Sequence, residues 1–433
     1  MKVLLVGNGA REHAIAERLA EDCELYTVMS KKNPAISQLS KQHWVCDIEN
    51  PSEITKAVEG IDFDLGFSSP DATLAAGVSD ALAKAGISMA SPSKDAARIE
   101  WDKGFMRKLM DEYKIPGAPK HKLVNSLEEA ARIINNYGSV AIKPLGLTGG
   151  KGVRVSGDHF TNISETVHYA EELIKKDGLV LIEEKLVGEE FTLQAFCDGT
   201  RICFMPPVQD HKRAFTGDKG PNTGGMGAYS SGKLLPFMLE SELEAAQNIM
   251  RSTIHAMKKN QTPFVGILYG QFILTANGIR LIEFNARFGD PEAMNVLALL
   301  KDQLSDIFLS MADGQLDNAN FSDESTVVKY LVPEGYPTKP VKDVAVTIDT
   351  RSIESCGAKI YYASVYEKGG HILTTNSRSF GILGKSTTLA NAEKIAEQGC
   401  KFVHGPVWHR SDIGTKKLTD SRVSHMAFLR DKS

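Results

Sequence analysis

A chain of 433 residues is long enough for two to four domains and can bury an ample core without disulfide or metal staples. Hydrophobic residues make up 42% and charged residues 24%, the balance of an ordinary globular protein, which excludes a disordered or fibrous chain. A net charge of −4, with the basic residues dispersed, argues against a nucleic-acid binder and leaves only local sites for small anions.

In chain order, residues 2–6 (KVLLV) predict a buried strand, Gly7-Asn8-Gly9 a turn, and residues 10–20 a helix. Further strands at 25–29, 63–67 and 87–89 alternate with helices at 54–58 and 72–85. That alternation means a parallel sheet with helices on both faces, closing near Ser91-Pro92-Ser93. Ser93 caps a short helix over 94–98, and a longer one runs over 101–113 until Pro116 and Pro119. Residues 120–193 read as a small α/β subdomain, with strands at 121–124 and 179–184, helices at 127–136 and 164–175, and a strand-loop-strand across 140–156. From 191 the pattern turns antiparallel about Asp198-Gly199-Thr200. A glycine-rich segment (216–227), a helix (239–259), a hairpin around 275–278 and a helix starting at Asp290-Pro291 follow. The remainder is β-rich and carries a helix capped by Thr387 or Thr388 and running to about Gln398. The expected architecture is multidomain α/β, with a parallel α/β domain at 1–102, a second domain at 103–325 whose small subdomain spans about 120–193, and a β-rich domain at 326–433.

Six cysteines, at 23, 46, 197, 203, 356 and 400, form no CxxC and no Cys/His cluster of zinc spacing. Reduced thiols in a cytoplasmic protein are expected. The chain has no run of about 18 apolar residues, so no membrane partner is expected either.

Five stretches can carry chemistry. In Ile279–Glu292 (IRLIEFNARFGDPE), strand alternation puts Glu283, Asn285 and Arg287 on one face and Ile282, Phe284 and Phe288 on the other. Two oxygen ligands beside a fixed cation suit a hard divalent metal holding a polyphosphate. Across the hairpin, Gln271 lies opposite Glu283 if the loop is Ala276–Gly278, and out of register if the loop has two residues. The opening GNGAREH has Glu12 at the third glycine of a dinucleotide fingerprint, and the second strand ends without an acid. What remains is a glycine turn before a helix N-terminus, suited to one phosphate, with Arg11 adding charge. Gly146 to Gly152 (GLTGGKG) joins two strands and fails the Walker spacing, but its glycines let backbone amides approach phosphates, with Lys143 just before it. Leu179–Glu190 is a strand ending in acids. Gln209–Arg213 and Gly217–Tyr229 form a long polar glycine-rich loop of the kind that carries function. No nucleophile-base arrangement stands out.

In this order, VGNGAREHA, DKGFMRKLM, IKPLGLTGGKG, IEEKLVGEE, QDHKRAFTGDKGPNTGGMGAYS and IEFNARFGDPEA resemble the ATP-grasp superfamily and, within it, the phosphoribosylamine–glycine ligase family. The resemblance spans essentially the whole chain. It implies a pre-ATP-grasp N-terminal domain, an ATP-grasp domain with a lid, and a C-terminal domain. It also implies ATP with Mg²⁺ or Mn²⁺, a glycyl phosphate formed from glycine and ATP, and its capture by 5-phosphoribosylamine in purine biosynthesis. The protein would be a monomer or small homo-oligomer. By motif match, Glu283 and Asn285 are metal ligands, joined hypothetically by Gln271, and Arg287 is the phosphate arginine. Lys103, Lys143, Gly146, Thr148, Gly149, Gly150, Lys151 and Gly152 contact ATP phosphates. Glu183, Glu184 and Leu186 form the adenine hinge, and Glu190 or its neighbour holds the ribose. Asp210, Lys212, Asp218, Asn222, Thr223, Gly224 and Gly225 form the acceptor-site loop. Gly9, Arg11, Glu12 and Asp71 lie on the phosphoribosylamine side.

The sequence departs from the family pattern at Ser69-Pro70-Asp71 (commonly Gly-Pro-Glu), at Asp102 (commonly a small residue) and at Leu145 (commonly Asp). The rival readings are another ATP-grasp carboxylate–amine ligase or carboxylase, an oxidoreductase built on the first domain, and a non-catalytic ATP-binding module. The first would lack the central loop, the second would need the third glycine and strand-end acid that this sequence lacks, and the third would be expected to have lost Glu283 or Lys143.

Overall fold

The computed structural model describes residues 1–146 and 152–432. The N-terminal sheet is parallel, in the order Gln42–Val45, Glu24–Met29, Lys2–Val6, Leu65–Ser68. Val3 to Val6 are fully buried because helices cover both faces. One strand goes beyond the expected set and two local expectations are corrected. Gln42–Val45 is a strand, which its half-exposed, non-alternating residues hid. Residues 87–89 contribute only an isolated bridge from Met89 to Gly66. The alanine-rich helix is two helices, Asp71–Ala76 and Val78–Lys84, broken at Gly77, whose φ of +87° is left-handed.

Helices Lys94–Trp101 and Lys103–Glu112 meet at Asp102. Asp102 Oδ1 accepts the amide of Phe105 at 2.9 Å, so this unusual residue is an N-cap that starts the second helix and places Lys103 at its first position. Asp102→Ala should lower stability by about 1 kcal/mol, read as a shifted urea midpoint at constant slope.

Residues 121–184 form an antiparallel sheet in the order His121–Val124, Val180–Glu184, Val140–Lys143, Arg154–Val155. Helices Leu127–Tyr137 and Ile163–Asp177 close it over a separate core that includes Ile134, Val140, Ile142, Ala170 and Ile182. The central sheet has the order Ile202–Phe204, Gly188–Asp198, Val265–Thr275, Gly278–Asn285. Its register sorts the side chains. Phe191 pairs with Phe272 on the apolar face, and the rings stack 5.5 Å apart. Glu190, Thr192, Gln194, Tyr269, Gln271, Glu283 and Asn285 share the other face.

A further sheet runs Gln209–Asp210, Gly227–Ser230, Ser325–Pro333, Phe380–Ser386, Ala358–Tyr362. It continues across the boundary expected at 325/326, so both ends of the long central loop are hydrogen-bonded into a sheet whose other strands lie C-terminal. Thr388 caps Leu389–Cys400. A last helix, Lys416–Arg430, escapes sequence reading because it buries only Leu418, Thr419 and Met426 and leaves Val423 and Phe428 outside. Among the described residues no helix is long and apolar enough to cross a membrane, and all six cysteines are unpaired.

Candidate active site

The polar face of the central sheet is the floor of the site, and one irregularity shapes it. The hairpin turn is the two-residue Ala276-Asn277, with Thr275 opposite Gly278. That register holds to Phe272 opposite Leu281, then slips by one residue, and Gln271 pairs with Glu283. The inserted residue is Ile282, a β-bulge. The expected register is therefore reached by a route other than the expected three-residue loop. The bulge also corrects the face assignment, since Leu281 and Phe284 are in the core and Ile282 is half-buried. Its kink turns backbone carbonyls toward the site. Arg107 Nη2 donates to the Leu281 and Ile282 carbonyls at 3.1 and 2.9 Å, and Lys143 Nζ donates to that of Ile282 at 3.3 Å.

Among the described residues no donor hydrogen-bonds to the Glu283 carboxylate. Burial would raise its pKa, but Lys212, Lys103, Lys143 and Arg287 together hold it below the ordinary value. Gln271 faces Glu283, and its amide Nε2 donates to Glu190 Oε2 at 2.7 Å. Glu190 also lies 4.0 Å from Lys212 Nζ. Asn285 Oδ1 accepts from Arg287 Nη2 at 3.0 Å. Arg287 is itself held by Glu100 at 3.0 Å, and the other Glu100 oxygen accepts the amide of Ala286 at 2.8 Å. Glu100 was not expected. It comes from a helix 186 residues earlier, and only the fold brings it here.

Lys143 Nζ lies 2.6 Å from Glu183 Oε2, and Arg107 Nε lies 2.6 Å from Oε1 of the same residue. Glu183, expected at an adenine hinge, thus has both carboxylate oxygens engaged by buried cations. Burial opposes its ionisation, but Arg107 and then Lys143 win and pull its pKa down to about 2. Glu184 pairs with the backbone of Lys120, its amide donating at 2.9 Å and its Oε1 accepting at 2.8 Å. Leu186 is half-buried in the irregular link between the small sheet and the central sheet. Lys103 Nζ donates to the Gly146 carbonyl at 3.2 Å, and its amide to that of Leu145, a bond indifferent to the side chain at 145. Thr148, Gly149, Gly150 and Lys151 lie outside the described residues, while Gly152 accepts the Tyr169 hydroxyl at 2.8 Å.

The central loop splits into two parts. Asp210 and Lys212 face the floor. Burial and the Glu292 charge raise the Asp210 pKa, whereas Lys212 stays charged because Glu190 and Asp210 outweigh its burial. Thr223 pins Lys212, its amide and its hydroxyl both donating to the Lys212 carbonyl at 2.8 Å. The Gly224 and Gly225 carbonyls accept from Arg378. Asp218 and Asn222 are engaged elsewhere. Asp218 pairs with Arg410 and Arg422 from the last 24 residues of the chain, and Asn222 is exposed opposite Arg213. Asp290 is not the expected N-cap. Its carboxylate accepts from Tyr330 and Arg378, and the helix begins at Glu292. Arg378, Arg422 and Arg107 were missed because nothing in their local sequence marks them.

On the N-terminal side, Glu12 reaches back to its own helix end. Its carboxylate accepts the Gly9 amide, the Arg11 Nε–H and the Ser69 hydroxyl, each at 2.6 Å. Gly7 and Gly9 make room for it, since a Cβ at either would fall within 2.7 Å of its side chain. The departure at Ser69 thus supplies a donor to Glu12. Arg11 also donates to the Phe288 carbonyl at 3.0 Å, a carbonyl that Arg287 shares at 3.2 Å. Asp71 opens the next helix, close enough to Arg287 to favour its charge.

A small antiparallel sheet set beside a floor of acids and cations defines an ATP-grasp protein. Family models bear this out. The N domain of phosphoribosylglycinamide synthetase matches residues 1–100, its ATP-grasp (A) domain 101–293 and its C domain 326–416. Phosphoribosylamine–glycine ligase of Methanobrevibacter smithii is 47% identical over 434 residues, covering 98% of this chain and 99% of that one. The Methanosarcina barkeri enzyme is 48% identical over 440 residues, covering 99% and 100%. A crystal structure of phosphoribosylamine–glycine ligase from Thermotoga maritima superposes with a TM-score of 0.82 at 26% identity, covering 95% of this chain and 100% of that one. The biotin carboxylase domain of Hydrogenobacter thermophilus 2-oxoglutarate carboxylase shares the fold at 12% identity and a TM-score of 0.77, covering 99% and 97%. The chain belongs to the phosphoribosylamine–glycine ligase family.

Proposed function

We propose that the central-sheet floor carries an ATP-dependent ligation of glycine to 5-phosphoribosylamine. In the first step a glycine carboxylate oxygen bonds to the γ-phosphorus of ATP and ADP leaves. In the second the amine nitrogen bonds to the acyl carbon, phosphate leaves and the amine gives up a proton. The observation that carries this reading is the Glu283 carboxylate, without a hydrogen-bonding partner among the described residues and facing Lys103, Lys143, Lys212 and Arg287.

Glu283 and the Asn285 amide oxygen fit a hard divalent ion. Two protein oxygens, with no cluster of three or more His, Cys, Asp or Glu among the described residues, suit Mg²⁺ or Mn²⁺ completed by phosphate oxygens and water. When bound, that ion offsets charge on the phosphates. The chain's own residues do the rest. Lys143 and Lys103 supply cations to the phosphates, and Arg287, fixed by Glu100 and Asn285, supplies a rigid guanidinium to the transferred group. Gln271 holds Glu190 for the ribose and is proposed to turn its oxygen to the metal. Leu186 and the backbone after Glu183 take the adenine, and the Gly146–Gly152 loop covers the phosphates. Asp210 and Lys212, pinned by Thr223 and the Gly224-Gly225 turn, serve the ligation substrates together with Asp218 and Asn222. Gly9, Arg11, Glu12 and Asp71 take the phosphoribosyl side. The unpaired thiols are in keeping with a cytoplasmic enzyme.

The test is ADP release from ATP and Mg²⁺, with and without glycine and with phosphoribosylamine generated in place. Release should require glycine, and glycinamide ribonucleotide should form only with both substrates. Release that never depends on glycine would overturn the reading.

A further inference from the structure

Arg378 lies between strands His371–Thr374 and Phe380–Ser386, far from every motif that marks the site. Its Nη1 donates to three carbonyls, those of Gly224 at 2.6 Å, Gly225 at 2.8 Å and Asp290 at 3.0 Å. Its Nη2 donates to the Asp290 carboxylate at 2.9 Å, and the Tyr330 hydroxyl donates to the other oxygen of that carboxylate. The guanidinium carbon sits 4.3 Å from the centroid of the Tyr330 ring, a cation–π contact. Its side chain is only 13% exposed.

Each of these partners belongs to another part of the site. Asp290 ends the segment that begins with Glu283, Asn285 and Arg287. Gly224 and Gly225 end the segment that begins with Asp210 and Lys212. The turn is bonded back on that segment, Thr223 to the Lys212 carbonyl and the Met226 amide to the His211 carbonyl at 2.8 Å. The two glycines follow from close approach. A Cβ at Gly224 would lie 3.2 Å from the guanidinium carbon, and one at Gly225, where φ is +105°, would lie 2.6 Å from Asp210 Oδ1.

We propose that Arg378 is the positioning residue that sets the Asp210–Lys212 segment against the floor strand, so that the C-terminal sheet fixes the geometry of the ligation-substrate side of the site. Arg378 acts through the backbone carbonyls and Asp290, by the same logic that makes planar, multiply bonded guanidinium groups better at fixing geometry than a lysine ammonium. The inference rests on the ligase reading above for its kinetic part only.

The experiment uses the full chain as Arg378→Ala, Arg378→Lys and Gly224→Ala, with two readouts. Hydrogen exchange by mass spectrometry should show the 209–227 peptide exchanging about tenfold faster in Arg378→Ala, with the floor peptide 265–285 unchanged. Steady-state kinetics should show KM for glycine or phosphoribosylamine raised about tenfold and KM for ATP within about twofold, with Arg378→Lys intermediate and Gly224→Ala shifted in the same direction. Unchanged exchange at 209–227, or a rise in the ATP KM equal to that for the ligation substrates, would overturn the proposal. If Arg378→Ala fails to fold, Arg378→Lys and Gly224→Ala decide by the same two readouts. A wild-type enzyme with no glycine-dependent ADP release would instead sink the ligase reading and leave the exchange experiment standing.

Discussion

Glu283→Gln should lower kcat by about 10³-fold or more, a loss of about 4 kcal/mol of transition-state stabilisation, while the protein stays folded. The substitution keeps the shape of the side chain and the β-bulge at Ile282, because the bulge is set by backbone pairing with Gln271 and Phe272. It removes only the charge. In the wild type that carboxylate is half-buried at the meeting point of Lys212, Lys103, Lys143 and Arg287, and those cations hold its pKa down. Without it the site is more positive, so an anionic nucleotide should bind no more weakly in the absence of metal than it does to the wild type. The metal-dependent increment in affinity should vanish. Calorimetric titration of ADP with EDTA and with Mg²⁺ separates the two terms. A variant that still binds ADP more tightly with Mg²⁺ than without it would remove Glu283 from the metal role, whatever its turnover.

The parts of the molecule that were legible beforehand are those in which one segment carries the whole signal. The parallel strands Lys2–Val6 and Glu24–Met29, the small subdomain and the hairpin before Glu283 all follow from periodicity and turn residues within a few positions. Glu283 and Asn285 were legible for the same reason, as alternate residues of one strand, and Arg287 follows just past the strand's end at Asn285. What stayed hidden depends on long-range pairing. The Ile282 bulge is a property of two strands and cannot be read from one. Glu100, Arg107 and Arg378 each look like ordinary helix or loop residues, and become parts of the site through partners 76 to 186 positions away. Asp290-Pro291 shows the converse, a good local capping signal overridden because Tyr330 and Arg378 bind the carboxylate in the folded protein. The helix Lys416–Arg430 was hidden because its apolar residues do not share one buried face, with Val423 and Phe428 outside, yet it supplies Arg422 to Asp218 and His425 to Glu189.

Glu183→Gln should be the most destabilising single change at the site, by about 3 to 5 kcal/mol at neutral pH. Arg107 is completely buried and Lys143 nearly so, and each makes an ion pair with one Glu183 oxygen at 2.6 Å. Taking away the shared carboxylate leaves Arg107 out of water without its ion-pair partner and Lys143 with Glu283 as its facing charge, the costly way to break a buried ion pair. The same triad sets an acid limit. Glu183 has its pKa lowered from an ordinary 4.5 to about 2 in the folded state, so it binds a proton less readily folded than unfolded. Its contribution, about 3 kcal/mol, is complete above pH 4.5 and is lost as the pH falls toward 2. Urea unfolding of the wild type should therefore weaken steeply over that window, and Glu183→Gln, which cannot titrate there, should be less stable at pH 7 and have a flatter acid limb. A variant within about 1 kcal/mol of the wild type at pH 7, or one that keeps the same acid slope, would show that Arg107 and Lys143 find other counter-charges. The activity of that variant carries separate information. Lys143 would then keep the Ile282 backbone carbonyl at 3.3 Å but lose its ion-pair partner, so KM for ATP should rise even in whatever fraction remains folded.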